Sequence, residues 1–192
     1  MSTVPSTQPA TVADWLAQPE DARLELIDGE LIPKAAPTFE HGQAQLATGV
    51  ALSRFARKPG GPDGPGGWWF GSEVDVLLDG RGYRPDLAGW RRDRVPAMPR
   101  ERPVTVRPDW LCEIVSESNR ATDTIKKLRR YQQAGVPHYW ILDQSARALT
   151  VYRNHADGYV IVVAAEAGER VRAEPFDAIE LDLASLWADV ML

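Results

Sequence analysis

Short apolar runs separated by turn residues make up most of this chain, with two longer stretches at helical spacing. Thr11-Val12-Ala13-Asp14 has the form of a capping box, and Trp15 and Leu16 follow it, which predicts a short helix over Thr11 to Ala17 stopped before Pro19. Leu24 to Ile27 and Glu30 to Ile32 flank Asp28-Gly29, a dipeptide suited to the left-handed positions of a two-residue turn, so a hairpin is expected. From His41 to Lys58 there is no proline, and Leu46, Val50 and Phe55 recur at near-helical intervals among alanines. That pattern predicts a long helix packing this face on a sheet. Pro59 to Gly67 is almost wholly glycine and proline and reads as a loop.

Three strands are expected next: Trp68 to Leu78, Tyr83 to Trp90, and Trp110 to Val115, the last two separated by the polar, proline-punctuated Arg91 to Pro108. Asp123 to Ala134 reads as a helix, entered at Thr122 or Asp123 and closed by Gly135 with Pro137 beyond. Tyr139 to Leu142 is a strand. Leu149 to Tyr152 and Tyr159 to Val163 form a hairpin around Asn154 to Gly158, and a short helix lies near Leu183 to Trp187. A helix, three strands, a helical crossover and a further strand predict an α/β layered fold.

Length and composition narrow the picture. With 192 residues and 44% hydrophobic residues, one core suffices: a flexible N-terminus over Met1 to Ala10 and a single domain over 11–192. The N-terminus lacks the basic start and apolar stretch of a secretory signal. The longest apolar run, Tyr159 to Ala165, falls far short of the roughly 20 residues that span a bilayer, so no membrane association is expected. Cys112 is the single cysteine, which excludes an internal disulfide and a cysteine-built zinc site and fits a cytoplasmic protein; its apolar surroundings suit a buried, inert thiol. A net charge of −5 argues against a general nucleic-acid coat and leaves room only for a local basic patch. Trp90, Trp110 and Trp140 fall in strands and read as core.

Three ionisable residues lie in or beside elements that otherwise read as core. Asp86 follows Pro85 in Tyr83 to Trp90, Glu113 breaks the apolar run Trp110 to Val115, and Lys127 lies on the following helix. A carboxylate within such a strand is costly unless it is paired or binds a cation. Glu113 lies two or three residues before its strand ends, roughly 7 to 10 Å at strand rise. Lys127 lies about four residues, roughly 6 Å, into the returning helix. The two are therefore level, and Thr124, Lys127 and Tyr131 share a helix face on which Tyr131 would steady the lysine stem. Two hard carboxylates with open positions suit Mg²⁺ or Mn²⁺, and an ammonium beside them offsets developing charge, a combination fitted to phosphodiester hydrolysis.

Pro85-Asp86, Glu113 and Lys127 resemble the motifs of the PD-(D/E)XK nuclease superfamily. Glu25-Leu26-Ile27-Asp28-Gly29-Glu30-Leu31, His41 and the run Lys127 to Val136 resemble its Uma-type branch of restriction endonucleases, over about Thr11 to Leu192. The superfamily's lysine usually stands two positions after the acidic residue, where this chain has Val115; the branch is similar in carrying a displaced lysine on the next helix, which assigns the role to Lys127 and not Lys126. The resemblance implies a restriction-endonuclease-like core with an N-terminal hairpin and C-terminal β additions, and a Mg²⁺-dependent (or Mn²⁺-dependent) endodeoxyribonuclease. Asp86 and Glu113 would hold the metal, Lys127 would assist, DNA would be the substrate, and a homodimer would make double-strand cuts.

Each residue also has a plainer reading. Asp86 suits a turn after proline, Glu113 a buried ion pair with a partner such as Arg84, and Lys127 a solvated helix face. His41 and Glu25 are secondary candidates, the first for metal or phosphate contact or as a capping residue, the second as a further acid of the metal site or a solvent-facing hairpin residue. Arg91, Arg92, Arg94, Arg100, Arg102 and Arg107 either clamp a DNA backbone or form a solvated loop. Two other functions compete with an endonuclease: a noncatalytic binding or assembly module on the same fold, and a hydrolase of small phosphoesters.

Overall fold

The computed structural model describes residues 8–62, 64–116 and 122–187; part of the expected flexible N-terminus, 1–7, lies outside them. The chain opens with helix α1 (Val12–Leu16), whose capping box forms as expected: Asp14 N–H donates to Thr11 Oγ1 while Thr11 N–H donates to Asp14. Strands β1 (Leu24–Ile27) and β2 (Glu30–Pro33) pair antiparallel across Asp28 and Gly29, both at positive φ (52° and 82°), the geometry a tight hairpin turn requires.

Helix α2 spans Phe39–Ala51 and is continued by a 3₁₀ turn over Ser53–Ala56, so the expected helix from His41 to Lys58 begins earlier and tightens sooner. Its buried face also differs from the expected one. Leu46 and Val50 are 62% and 64% exposed, and of the three apolar residues only Phe55 is buried. The stripe that packs is His41, Ala44, Thr48, Leu52 and Phe55, again at three-and-four spacing. Small side chains at Ala44 and Thr48 let the helix approach the sheet closely, which hydrophobicity alone does not signal.

The expected strand Trp68 to Leu78 divides into β3 (Trp68–Ser72) and β4 (Val76–Leu78), and Tyr83 to Trp90 divides into β5 (Arg81–Tyr83) and β6 (Leu87–Arg91). Glu73 adopts a positive φ of 55° that turns the chain out of β3, and Pro85, with no N–H to give a ladder, separates β5 from β6. The pieces go to different sheets. A four-stranded sheet has the order β2-β1-β5-β4; a six-stranded sheet has the order β10-β9-β8-β7-β6-β3, with β7 (Trp110–Val115), β8 (His138–Asp143), β9 (Ala148–His155) and β10 (Gly158–Glu166). All pairings in the larger sheet are antiparallel except β7 with β8, which run parallel across a helical crossover. The helix–three strands–helix–strand order is thus present as α2, β3, β6, β7, the crossover and β8, with the C-terminal β9–β10 hairpin added.

The crossover begins as a π-helical turn, Thr122–Lys127, and continues as α3 (Leu128–Gln133). It ends at Gly135, at φ 72°, where Val136 N–H donates to Tyr131 O and Gly135 N–H to Gln132 O, a C-terminal cap that favours glycine. Two hydrophobic clusters cover the faces of the large sheet. Trp110, Cys112, Ile114, Trp140 and Leu142 pack with α2, Phe176 and the 3₁₀ turn Leu183–Leu186. Leu111, Val115, Tyr139 and Ile141 pack on the other face with Tyr131 of α3 and Val76 and Tyr83 of the small sheet. Glu113 has the parity of Leu111 and Val115, so it enters the second face, at the junction of the two sheets.

Candidate metal centre

Asp86 lies where the chain leaves the small sheet and enters β6. The β6–β7 register ends with Leu87 opposite Cys112, and Asp86, one residue beyond the paired ladder, lies beside β7, where Ile114 N–H reaches its Oδ2. Asp86 and Glu113 are each 1% exposed, and carboxylates buried to this extent persist only with cations beside them. Two lysines meet that need. Lys127 Nζ is 3.1 Å from Glu113 Oε1 and 3.0 Å from Glu25 Oε1. Lys34 Nζ is 2.6 Å from Asp86 Oδ1, 2.6 Å from the Arg84 carbonyl oxygen and 3.3 Å from Glu73 Oε2.

Backbone and neighbouring groups fix the acids further. Ile114 N–H donates to Asp86 Oδ2 at 2.7 Å, Gln45 Nε2 donates to the Asp86 carbonyl, and the Tyr131 hydroxyl donates to Glu113 Oε1 at 2.8 Å. Tyr131 therefore holds the carboxylate to which Lys127 is bound. Glu25, on β1, accepts from Arg84 N–H at 2.8 Å as well as from Lys127, and is buried instead of facing solvent. Arg84, one proposed partner of Glu113, pairs instead with Asp75 at 2.7 Å. Lys126 is exposed and Lys127 is 2% exposed, so the helix turns Lys127 toward the sheet.

Burial opposes ionisation of Asp86, yet the approach of His41 and Lys34 outweighs it and holds this carboxyl well below the usual range. For Lys34, burial disfavours the ammonium, but Glu113 and Asp86 reverse that and raise its pKa. Burial, reinforced by Glu113, pushes the Tyr131 hydroxyl up, so it remains a donor. Cys112 is buried, and its thiol is pushed up by burial and by the two carboxylates, as befits an inert side chain.

His41 belongs to the first turn of α2, where its N–H donates to the Thr38 hydroxyl, and its ring enters the centre: Nε2 stands 3.2 Å from Asp86 Oδ1, at ion-pair distance but without hydrogen-bond alignment. Donor atoms of His41, Glu73 and Asp86 lie within 4.8 Å of one another, a spacing that fits one metal ion. His41 Nε2 and Glu73 Oε1 are buried with no hydrogen-bond partner among the described residues, so the donor set suits a cation. Sequence reasoning missed Lys34 and Glu73. Lys34 sits in Pro33-Lys34-Ala35-Ala36-Pro37, which reads as an ordinary linker, and Glu73 sits in what reads as an unbroken strand.

Four of the loop arginines are engaged elsewhere. Arg91 pairs with Asp93, Arg94 with Asp109 and Arg102 with Asp75. Arg92 lies 3.6 Å from the Trp69 ring centroid and donates to the Trp68 and Ala56 carbonyls.

A family model described as "Putative restriction endonuclease", the Uma2 family, matches residues 10–184. The chain belongs to the Uma2 family. A solved structure from Anabaena variabilis ATCC 29413, described as a putative nuclease belonging to DUF820, resembles it with a TM-score of 0.69. The two are 20% identical, over 93% of this chain and 97% of that one, a likeness of fold. Among curated proteins, none matches. The fold expected from the Uma-type resemblance is therefore present, and among the described residues no helix is long and apolar enough to cross a membrane.

Proposed function

We propose that this Uma2 protein is a metal-dependent endonuclease that hydrolyses DNA phosphodiester bonds, with Asp86 and Glu113 holding Mg²⁺ or Mn²⁺ and Lys127 assisting. The observation that supports the reading is the cluster of metal-donor atoms from buried Asp86 and His41 and from Glu73, together with the buried Glu113–Lys127 ion pair, in a family described as "Putative restriction endonuclease". When bound, the divalent ion supplies a Lewis acid for the phosphate and acidifies a water nucleophile. Asp86 contributes the charge that holds it, while the Ile114 N–H secures Oδ2 and leaves Oδ1 to the centre. Glu113, steadied by Tyr131, contributes the second carboxylate. Lys127, fixed between Glu25 and Glu113, presents a positive charge where negative charge develops on the phosphate. A two-fold dimer in the cytoplasm would cut both strands.

The test is cleavage of supercoiled and linear DNA with Mg²⁺ or Mn²⁺. Wild type should cut, and Asp86→Asn and Glu113→Gln should neither cut nor bind Mn²⁺ while remaining folded. A second reading, a noncatalytic assembly module, draws support from the net charge of −5 and from loop arginines already committed to Asp93, Asp109 and Asp75. It becomes the better account if no metal and no DNA form gives cleavage.

A further inference from the structure

Resting on the metal-dependent reading, we infer that His41 and Glu73 complete the shell around Asp86, and that Lys34 is its built-in competitor. The Lys34 ammonium holds the cation position in the metal-free protein and withdraws when the ion enters.

The shell follows from donors left over once all other contacts are assigned. His41 is 8% exposed and its Nε2 has no hydrogen-bond partner among the described residues; Glu73, whose Oε2 accepts from Arg23 and Lys34, offers the group a carboxylate oxygen, and its buried Oε1 also has no such partner. Buried polar atoms are rarely left so unless a group is missing beside them. The three protons of the Lys34 ammonium are directed at Asp86 Oδ1, the Arg84 carbonyl oxygen and Glu73 Oε2, so none is left for His41 Nε2, and a metal ion would give that nitrogen a partner.

The competition follows from what Lys34 touches. Its Nζ rests on Asp86 Oδ1, the Arg84 carbonyl oxygen and Glu73 Oε2, two carboxylates and a carbonyl, the hard oxygens that a divalent cation seeks. One oxygen, Asp86 Oδ1, also faces His41. A monovalent ammonium and a divalent ion sharing those oxygens repel strongly, so occupancy by one weakens the other. The two lysines of the centre differ in freedom. The Lys127 side chain is 3% exposed and held between two acids, whereas that of Lys34 is 12% exposed on a flexible four-carbon stem just after β2.

The test is Mn²⁺ titration of the intact protein at fixed pH, followed by the electron paramagnetic resonance of the free ion, with thermal melts to verify folding. Lys34→Met and Lys34→Gln should each bind Mn²⁺ about tenfold more tightly than wild type, and His41→Ala and Glu73→Gln about tenfold more weakly. If Lys34→Met does not fold, Lys34→Gln, which keeps a donor without the charge, carries the comparison. Folded Lys34 variants that bind no more tightly overturn the competition. Unchanged affinity in His41→Ala and Glu73→Gln, with loss in Glu113→Gln, overturns the shell while leaving the metal-dependent reading intact. Absence of Mn²⁺ binding in wild type and in both Lys34 variants removes that reading and the inference with it.

Discussion

The Lys127 ammonium lies 3.1 Å from Glu113 Oε1, joining the crossover helix to the strand it follows. An ammonium is not a metal ligand, so Lys127→Met should leave Mn²⁺ affinity largely intact and slow DNA cleavage by about a hundredfold or more. Lys126→Met, at the exposed neighbouring position, should cost little. Single-turnover cleavage rates of the two variants, measured beside Mn²⁺ binding, check this; equal losses would mean a diffuse electrostatic role for the helix.

What the sequence made legible was local. The Thr11 cap, the Asp28-Gly29 turn and the Gly135 stop each depend on a few neighbouring residues, and each forms as expected. Asp86 and Glu113 stood out because they interrupt apolar elements, and Lys127 because the register of its helix sets it level with Glu113. Lys34 and Glu73 did not, since they join the centre only through the meeting of two sheets, and nothing local announces the left-handed turn at Glu73. The α2 face was misread for a similar reason: Leu46 and Val50 are the more hydrophobic residues, but close packing selected Ala44 and Thr48.

Asp86 and Lys34 together should set the pH range of stability. The Asp86 carboxyl is depressed in the folded protein, so the unfolded chain takes up its proton first, near pH ~3.9, and stability falls as the pH drops below that value. Lys34 is raised, so its contribution is complete below about pH 10 and fades as the pH climbs through its folded value. Denaturant unfolding of the metal-free protein across pH should therefore show an acid limb that Asp86→Asn flattens. Identical acid slopes in wild type and variant would contradict the assignment.

Gly82 tests how the N-terminal helix is tied to the small sheet. Trp15 is buried, donates from Nε1 to the Leu24 carbonyl at 2.7 Å, and lies over Gly82 so closely that an added Cβ would come within 2.5 Å of its ring. Gly82→Ala must displace the indole or the strand, and a loss of about 1–3 kcal/mol is expected from denaturant unfolding, with a red shift in tryptophan emission. A variant as stable as wild type would show that α1 packs loosely.

Glu25 separates anchoring of the lysine from binding of the metal. Its Oε1 accepts from both Arg84 N–H and Lys127 Nζ, so it acts as the second carboxylate that holds Lys127 in place. Glu25→Gln keeps an oxygen able to accept one of these bonds but removes the charge, so Lys127 should lean wholly on Glu113. Truncating one partner of a buried ion pair leaves the other charge less well compensated, which predicts a lower melting temperature. Mn²⁺ affinity should stay within a few-fold of wild type, because Glu25 Oε1 is already taken by Arg84 N–H and Lys127 Nζ. Cleavage should slow by about tenfold, less than in Lys127→Met, since the ammonium is misplaced and not removed. Parallel measurement of Mn²⁺ affinity and cleavage rate decides the matter, and a collapse of metal affinity in Glu25→Gln would make Glu25 a ligand in its own right.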